Sequence, residues 1–219
     1  MEKETFNLSP SSLSLFNDCR RCFWLTLHNK WQRPKGIFPS LPSGIDLVLK
    51  EYFDGYMEKN QLPPELNKDI RLFGSKLFSD FEKLQEWRDN RRGLVYQDSE
   101  GNIIRGAIDN LIIREDKLIV LDYKTRGSPP KDDTPDYYIL QLSLYSFLLR
   151  KLGYKTEDLA YLLFYYPSHI IGLGQIIFNT SLVEVKLDID KAEETWRSAL
   201  FLLNNNCPKE SCEWCNGAI

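Results

Sequence analysis

Apolar positions change their spacing along this chain. Ile45, Val48, Leu49, Tyr52, Phe53 and Tyr56 recur at helical intervals and predict a helix over 45–57. A second helical stretch is predicted from Leu66 to about Asn90, with Leu72, Phe73, Leu77, Phe78, Phe81 and Leu84 as its stripe. Upstream, Leu8-Ser9-Pro10-Ser11-Ser12 is a helix start, and a short helix through Leu13, Phe16 and Cys19 follows. Arg33 to Pro42 holds three prolines and Gly36 and reads as a loop.

Beyond Gly93 the pattern turns strand-like. Strands are predicted at 93–97, 103–113 and 118–125, separated by turns at Asp98–Asn102 and Glu115-Asp116. A polar loop over 126–136 leads to a helix from Tyr137 to Leu152 that stops at Gly153. Further strands are expected at 159–166, 172–178 and 182–187, then a helix from Asp190 to about Asn204 and a cysteine-rich tail. Helices followed by a hairpin-rich sheet with one interrupting helix make an α/β or α+β chain with a central mixed sheet. The strand at Ala160–Tyr166 follows a crossover helix, so it can lie parallel to the one at Leu118–Thr125. The chain reads as a single domain, 1–219: a mainly helical part over 1–92, a sheet core over 93–188, and a final helix and tail over 189–219.

With 219 residues, 42% of them hydrophobic and 27% charged, the chain is globular and needs no disulfides to fold. Its net charge of -3 excludes a generally basic nucleic-acid coat but not a local basic patch. No apolar run is long enough to span a bilayer, and the charged start Met1–Thr5 lacks a signal core. The expectation is a cytoplasmic protein with no membrane partner. Oligomeric state is not legible.

The strand Ile119 to Thr125 ends in Asp122-Tyr123-Lys124. Asp122 and Lys124 are two apart and leave one face. Charged groups at the end of a buried strand are costly unless used or paired. Asp109 lies in the preceding strand, about as far from the 115–116 turn as Asp122, so the two carboxylates can lie side by side. Oxygen ligands from two carboxylates suit Mg²⁺ or Mn²⁺. Gln141 and Tyr145, at i and i+4, share one face of the next helix. Each element has a bland alternative: a surface ion pair, a chance helical spacing, a turn residue. The order of all of them together is the informative feature.

That order resembles the PD-(D/E)XK nuclease superfamily, and within it the RecB-like branch, which includes the CRISPR-associated RecB-type exonucleases and the AddB nuclease domain. Gly106-Ala107-Ile108-Asp109 resembles its second motif, Leu121 to Thr125 its third, and Gln141 to Tyr145 the Gln-x-x-x-Tyr motif of the branch. Leu8 to Ser11 through Cys19–Trp24 resembles the opening of the branch, with Arg20 in place of a proline. The resemblance implies a restriction-endonuclease-like core, a central mixed sheet flanked by helices with an N-terminal helical portion. It implies Asp109 and Asp122 as ligands of Mg²⁺ or Mn²⁺, Lys124 as the group that orients water or offsets phosphorane charge, and Gln141 and Tyr145 as positioners of nucleic acid. Relatives often carry a histidine ligand on the early helix; here Asp46 takes that place, with Glu51 or Asp54 as alternatives. His28 and His169 sit in no motif.

Three of five cysteines crowd the last thirteen residues. Four thiolates complete a Zn²⁺ or [4Fe-4S] site. In RecB-like relatives one early and three late cysteines hold a [4Fe-4S] cluster, which implies Cys19, Cys207, Cys212 and Cys215 here. The late spacing departs from those relatives, so zinc or plain reduced thiols stay open, as does the role of Cys22. Arg88, Arg91 and Arg92, Arg20-Arg21, and Lys30 with Arg33 and Lys35 form basic clusters that can meet phosphate or remain solvated. Trp24 and Trp31 can stack on bases or pack in the core.

The leading expectation is a metal-dependent DNA nuclease, an exonuclease acting on single-stranded or free ends, in repair, recombination or CRISPR-type processing with partners from those systems. One rival is a catalytically silent nucleic-acid-binding or assembly module on the same fold. Another is a zinc-stapled domain in which Asp122 and Lys124 form only an ion pair.

Overall fold

The computed structural model describes residues 4–36 and 40–217. The first three residues of the charged start and residues 37–39 of the predicted loop lie outside them. Ser9 caps the first helix, α1 (Pro10–Asp18): its side chain accepts from Ser12 N while Ser12 returns a bond to the Ser9 backbone. The expected short helix ends at Asp18; the chain turns extended at Cys19 and starts again as α2 (Arg20–Leu27), a helix the spacing did not predict. Helix α3 (Ser40–Glu58) begins before the predicted boundary. Pro42 falls in its first turn, where a missing N–H leaves no helical bond unmade.

The stretch expected as one helix from Leu66 to Asn90 is four short elements: α4 (Pro64–Asn67), a 3₁₀ turn (Ile70–Leu72), β2 (Lys76–Leu77) and α5 (Phe81–Arg88). Asp69 and Asp80 spend their carboxylates on the N–H groups of Arg71 and Lys83, and Gly74 takes a φ of +73°. Such local bonds and left-handed turns compete with helix propagation. Most of the stripe is still core: Leu72, Leu77, Phe78 and Leu84 are buried, whereas Phe73 is 85% exposed and Phe81 is exposed as well.

Two sheets follow. β1 (Asn7–Leu8), β3 (Leu94–Gln97) and β4 (Ile103–Gly106) form a small one in the order β1-β4-β3. β5 (Asn110–Arg114), β6 (Lys117–Thr125), β7 (Leu159–Ile171) and β8 (Gln175–Lys186) join β2 in a mixed sheet ordered β2-β5-β6-β7-β8. In it β6 and β7 are the parallel pair, joined through α6 (Ile139–Lys151), as parallel neighbours need a crossover. α6 is buried on nearly every side because it lies between the small sheet and the large one, against α1 and α7 (Ile189–Leu203). α3 packs on β6 as well. The architecture is therefore the expected one: a mixed α/β core flanked by helices, with a helical N-terminal portion. Among the described residues no helix is long and apolar enough to cross a membrane.

Two strand boundaries differ from expectation. The run from Ile103 to Ile113 is β4 and β5, in different sheets, interrupted at Ala107–Asp109. The predicted strands at 172–178 and 182–187 are one strand, β8. Asn179, Thr180 and Ser181 look like a loop in sequence, but they stay in register with β7 along the sheet edge. β7 and β8 continue past the core as a two-stranded ribbon whose tip exposes Ile170, Leu173 and Ile176.

Candidate active site

The interruption between β4 and β5 creates the site. Antiparallel register pairs Asn110 with Leu121, so Asp109 and Asp122 occupy the next positions along the two strands. Asp109 Oδ2 accepts from Tyr123 N at 3.1 Å, which fixes its carboxylate at the end of β6. Tyr123 turns toward α3, its ring 4.4 Å from Phe53 and its hydroxyl accepting from Asn110 Nδ2. Its neighbours Asp122 and Lys124 consequently leave the opposite face. Asp122 is 2% exposed and in contact with the Lys124 ammonium, which stands 5.0 Å from the Tyr138 ring.

Burial, and then the Asp109 charge, push the Asp122 carboxyl up to about 7, against the pull of Lys124 and Lys50. Burial works against the Lys124 charge, but Asp122 and Asp109 outweigh it and hold that ammonium above its ordinary range. The lysine is therefore a fixed cation beside a carboxyl that titrates easily.

Two residues that sequence reasoning did not place beside the carboxylates also reach Asp109. Lys50 Nζ lies 3.3 Å from Asp109 Oδ1 and 2.7 Å from Asp46 Oδ2, so Asp46 joins the site through this lysine. Arg88, read from sequence as a phosphate-binding candidate, has a side chain only 5% exposed. Its Nε donates to the Asp109 carbonyl at 2.7 Å, and its NH1 pairs with Asp54 at 2.7 Å. Asp54 also accepts from Gln85 and is committed to holding Arg88, while Glu51 is exposed. The helical spacing of Asp46, Lys50 and Asp54 was the available signal for that shared face.

Gln141 and Tyr145 come together as their spacing suggests. Gln141 Nε2 donates to Tyr145 Oη at 2.7 Å. Burial, and then the Asp122 charge, raise the Tyr145 hydroxyl above its ordinary range, so it stays protonated. The pair lines a cleft of about 390 Å³ with Ser9, Ser11, Arg105 and Gly106. A second cleft, about 320 Å³, lies against Asp46, Lys124 and Thr125. A larger cavity, about 940 Å³ and mostly apolar, lies between α3 and the β7–β8 edge, and none of Asp46, Asp109 and Asp122 lines it. His28 is spent on the Leu203 carbonyl and the Phe6 and Trp24 rings, and His169 is on the ribbon. Trp24 is partly buried and donates to Asn205 O.

The cysteines gather differently from the expected set. Cys19, Cys22, Cys212 and Cys215 form one group, with Cys22 inside it. Cys207 is outside, its thiol against its own neighbour's carbonyl and the Arg21 guanidinium. It lies just beyond the asparagine run that ends α7, whereas Cys212 and Cys215 share a turn that faces the α1–α2 junction.

The carboxylate site fits a divalent ion. Its donors are carboxylate oxygens, and the Asp109 charge adds to the cost of ionising the buried Asp122 when only lysines balance it. Asp109 and Asp122 would hold the ion, with Asp46 within reach of the same cation network.

No curated protein matches the sequence. The crystal structure of SSO0001 is similar over 95% of this chain and 81% of that one, at a TM-score of 0.44 and 15% identity. The model of the PD-(D/E)XK nuclease superfamily matches residues 7–217. Because that match runs from the strand before α1 through the carboxylate pair to the cysteine tail, the chain belongs to the PD-(D/E)XK nuclease superfamily.

Proposed function

We propose that this protein is a divalent-metal-dependent deoxyribonuclease of the RecB-like branch, acting on single-stranded or free DNA ends. The observation that carries the reading is the meeting of Asp109, Asp122 and Lys124 at one sheet end, beside the hydrogen-bonded Gln141–Tyr145 pair. A Mg²⁺ or Mn²⁺ ion bound there supplies a water of lowered pKa and polarises the scissile phosphate. Asp109 and Asp122 would hold it, Asp122 as its deprotonated carboxylate. Lys124 keeps its charge beside them and balances the negative charge that develops on the phosphorane. Gln141 and Tyr145 offer a fixed hydroxyl and amide to the nucleic-acid backbone. Arg126, one residue past β6, has a buried Nε with no hydrogen-bond partner among the described residues, which suits a phosphate contact. Arg88 acts at one remove, as a positioning residue for Asp109. A place in DNA repair, recombination or CRISPR-type processing follows from the branch reading.

The test is cleavage of end-labelled single- and double-stranded DNA with Mg²⁺, Mn²⁺ or EDTA, with wild type and Lys124→Ala side by side. Metal-dependent cleavage that starts at ends and disappears in the variant is expected. Wild type that binds DNA without cutting it favours the silent binding module. Cleavage unchanged in Lys124→Ala removes these residues from the chemistry.

A further inference from the structure

The four grouped cysteines are too close together for the iron–sulfur cube that the resemblance implies. Cys22 Sγ lies 3.4 Å from Cys212 Sγ, and Cys215 Sγ lies 3.8 Å from both Cys19 and Cys212. All four sulfurs fall within 4.8 Å of one another. None is in a disulfide. A cube of four irons and four sulfides separates its thiolates by roughly 6 Å, because the irons lie between them. A single ion with metal–sulfur bonds of about 2.3 Å in tetrahedral array sets its sulfurs about 3.8 Å apart. The observed separations are those of the second arrangement.

The ligand pattern agrees. Cys19-x-x-Cys22 and Cys212-x-x-Cys215 are two short-spaced pairs, one at each end of the chain. Cys19 caps α2, and its sulfur accepts from Cys22 N at 3.4 Å. Cys212 N donates to Cys215 Sγ at the same distance. Backbone N–H bonds of this kind suit sulfurs carrying thiolate charge. The surroundings agree too. Arg33 Nε donates to Cys22 Sγ at 3.3 Å and its NH2 to Cys212 Sγ at 3.6 Å. Asp18 holds the same guanidinium through NH1 at 2.5 Å, and the Trp214 ring lies 5.9 Å from it. Four thiolates around one divalent ion leave two negative charges, and a fixed arginine offsets one of them. Leu25 and the partly buried Leu15 and Trp31 close the site with apolar surface.

We propose that Cys19, Cys22, Cys212 and Cys215 bind one zinc ion as a structural tetrathiolate site, with Arg33 as its hydrogen-bonded counter-charge and Cys207 outside the coordination sphere. Soft thiolates in a closed tetrahedron select zinc, and no position is left open for substrate. The ion ties the α1–α2 junction to the chain's last turn. Ser9, Ser11 and Ser14, at and along α1, line the cleft beside Gln141 and Tyr145, so the staple braces one wall of that cleft.

Full-length protein expressed with ample iron and purified anaerobically, so that iron and zinc compete, is weighed by native mass spectrometry and assayed for zinc, iron and acid-labile sulfide. One zinc per chain, with no sulfide and no colour, is expected. Cys207→Ser should keep the full zinc content and Cys22→Ser should lose it. Arg33→Ala should keep one zinc but release it to a chelator several-fold faster. Four irons with sulfide, a single iron, or a metal-free chain overturns the proposal, as does loss of zinc in Cys207→Ser. The wild-type and Cys207→Ser measurements decide the matter even where Cys22→Ser fails to fold.

Discussion

A Cβ on Gly106 would stand 2.7 Å from Tyr145 Cε1 and 3.3 Å from Leu148 Cδ1. The ring of Tyr145 therefore rests on the backbone of β4, and the hydroxyl that Gln141 holds is placed by the absence of a methyl group. Gly106→Ala should cost about 1–3 kcal/mol through overpacking, read by denaturant unfolding. It should also lower cleavage more than the stability loss accounts for, because Tyr145 must move. Asp122 gives a second prediction at this scale. Its carboxyl is raised in the fold to about 7 by burial and by Asp109. Between its unfolded value near 4 and this folded value, the folded protein keeps a proton that the unfolded chain has lost. Its contribution to stability is thus full below that window and falls as pH rises through it. In magnesium-free buffer the melting temperature of Asp122→Asn relative to wild type should climb from about pH 4 to about pH 7. A pH-independent difference would mean that Asp122 is not held in this way.

Elements act on the site through their ends. α5 ends at Arg88, whose guanidinium grips Asp54 of α3 and the Asp109 carbonyl, and Trp87 O accepts from Ile108 N. The linker between the two sheets is thereby held from outside both. Arg88→Ala strands Asp54 in a half-closed interface and should destabilise by about 3–5 kcal/mol. Arg91→Ala, three residues away on an exposed side chain, should stay within about 0.5 kcal/mol. Paired thermal melts separate the two. Equal effects would return Arg88 to the solvated cluster that sequence alone suggested. The same contrast explains why that cluster misled: three nearby arginines look alike in sequence, and one points inward only because α3 offers it a carboxylate.

At the scale of the whole molecule, the proposed tetrathiolate site closes the chain on itself, joining residues about 190 apart. An ion that binds only the folded form adds stability by mass action. Stripping zinc with a thiophilic chelator, then restoring Mg²⁺, should lower the melting temperature. Hydrogen exchange should speed up in α1, α2 and the tail while β5, β6 and β7 stay protected. Uniform loss of protection would make the site part of the global fold rather than a brace for one wall of the cleft.

The linear pattern was enough for some of this. Strands β3, β6 and the core half of β7, helices α6 and α7, and the parallel β6–β7 pairing are legible because each keeps one period over a full element and ends in turn chemistry. The alignment of Asp109 with Asp122 is legible as well, since a two-residue turn sets hairpin register and register is arithmetic. Tertiary structure alone decided the rest. The split between β4 and β5 depends on α6 wedging the two sheets apart. The division of 66–90 into four pieces depends on β2 finding β5, a partner more than thirty residues away. Lys50 and Arg88 reach Asp109 from two separate helices. Cys22 replaces Cys207 because a turn at one end of the chain meets a helix junction at the other. Local spacing encodes which side chains share a face; which faces meet is settled by packing among distant segments, where spacing carries no information.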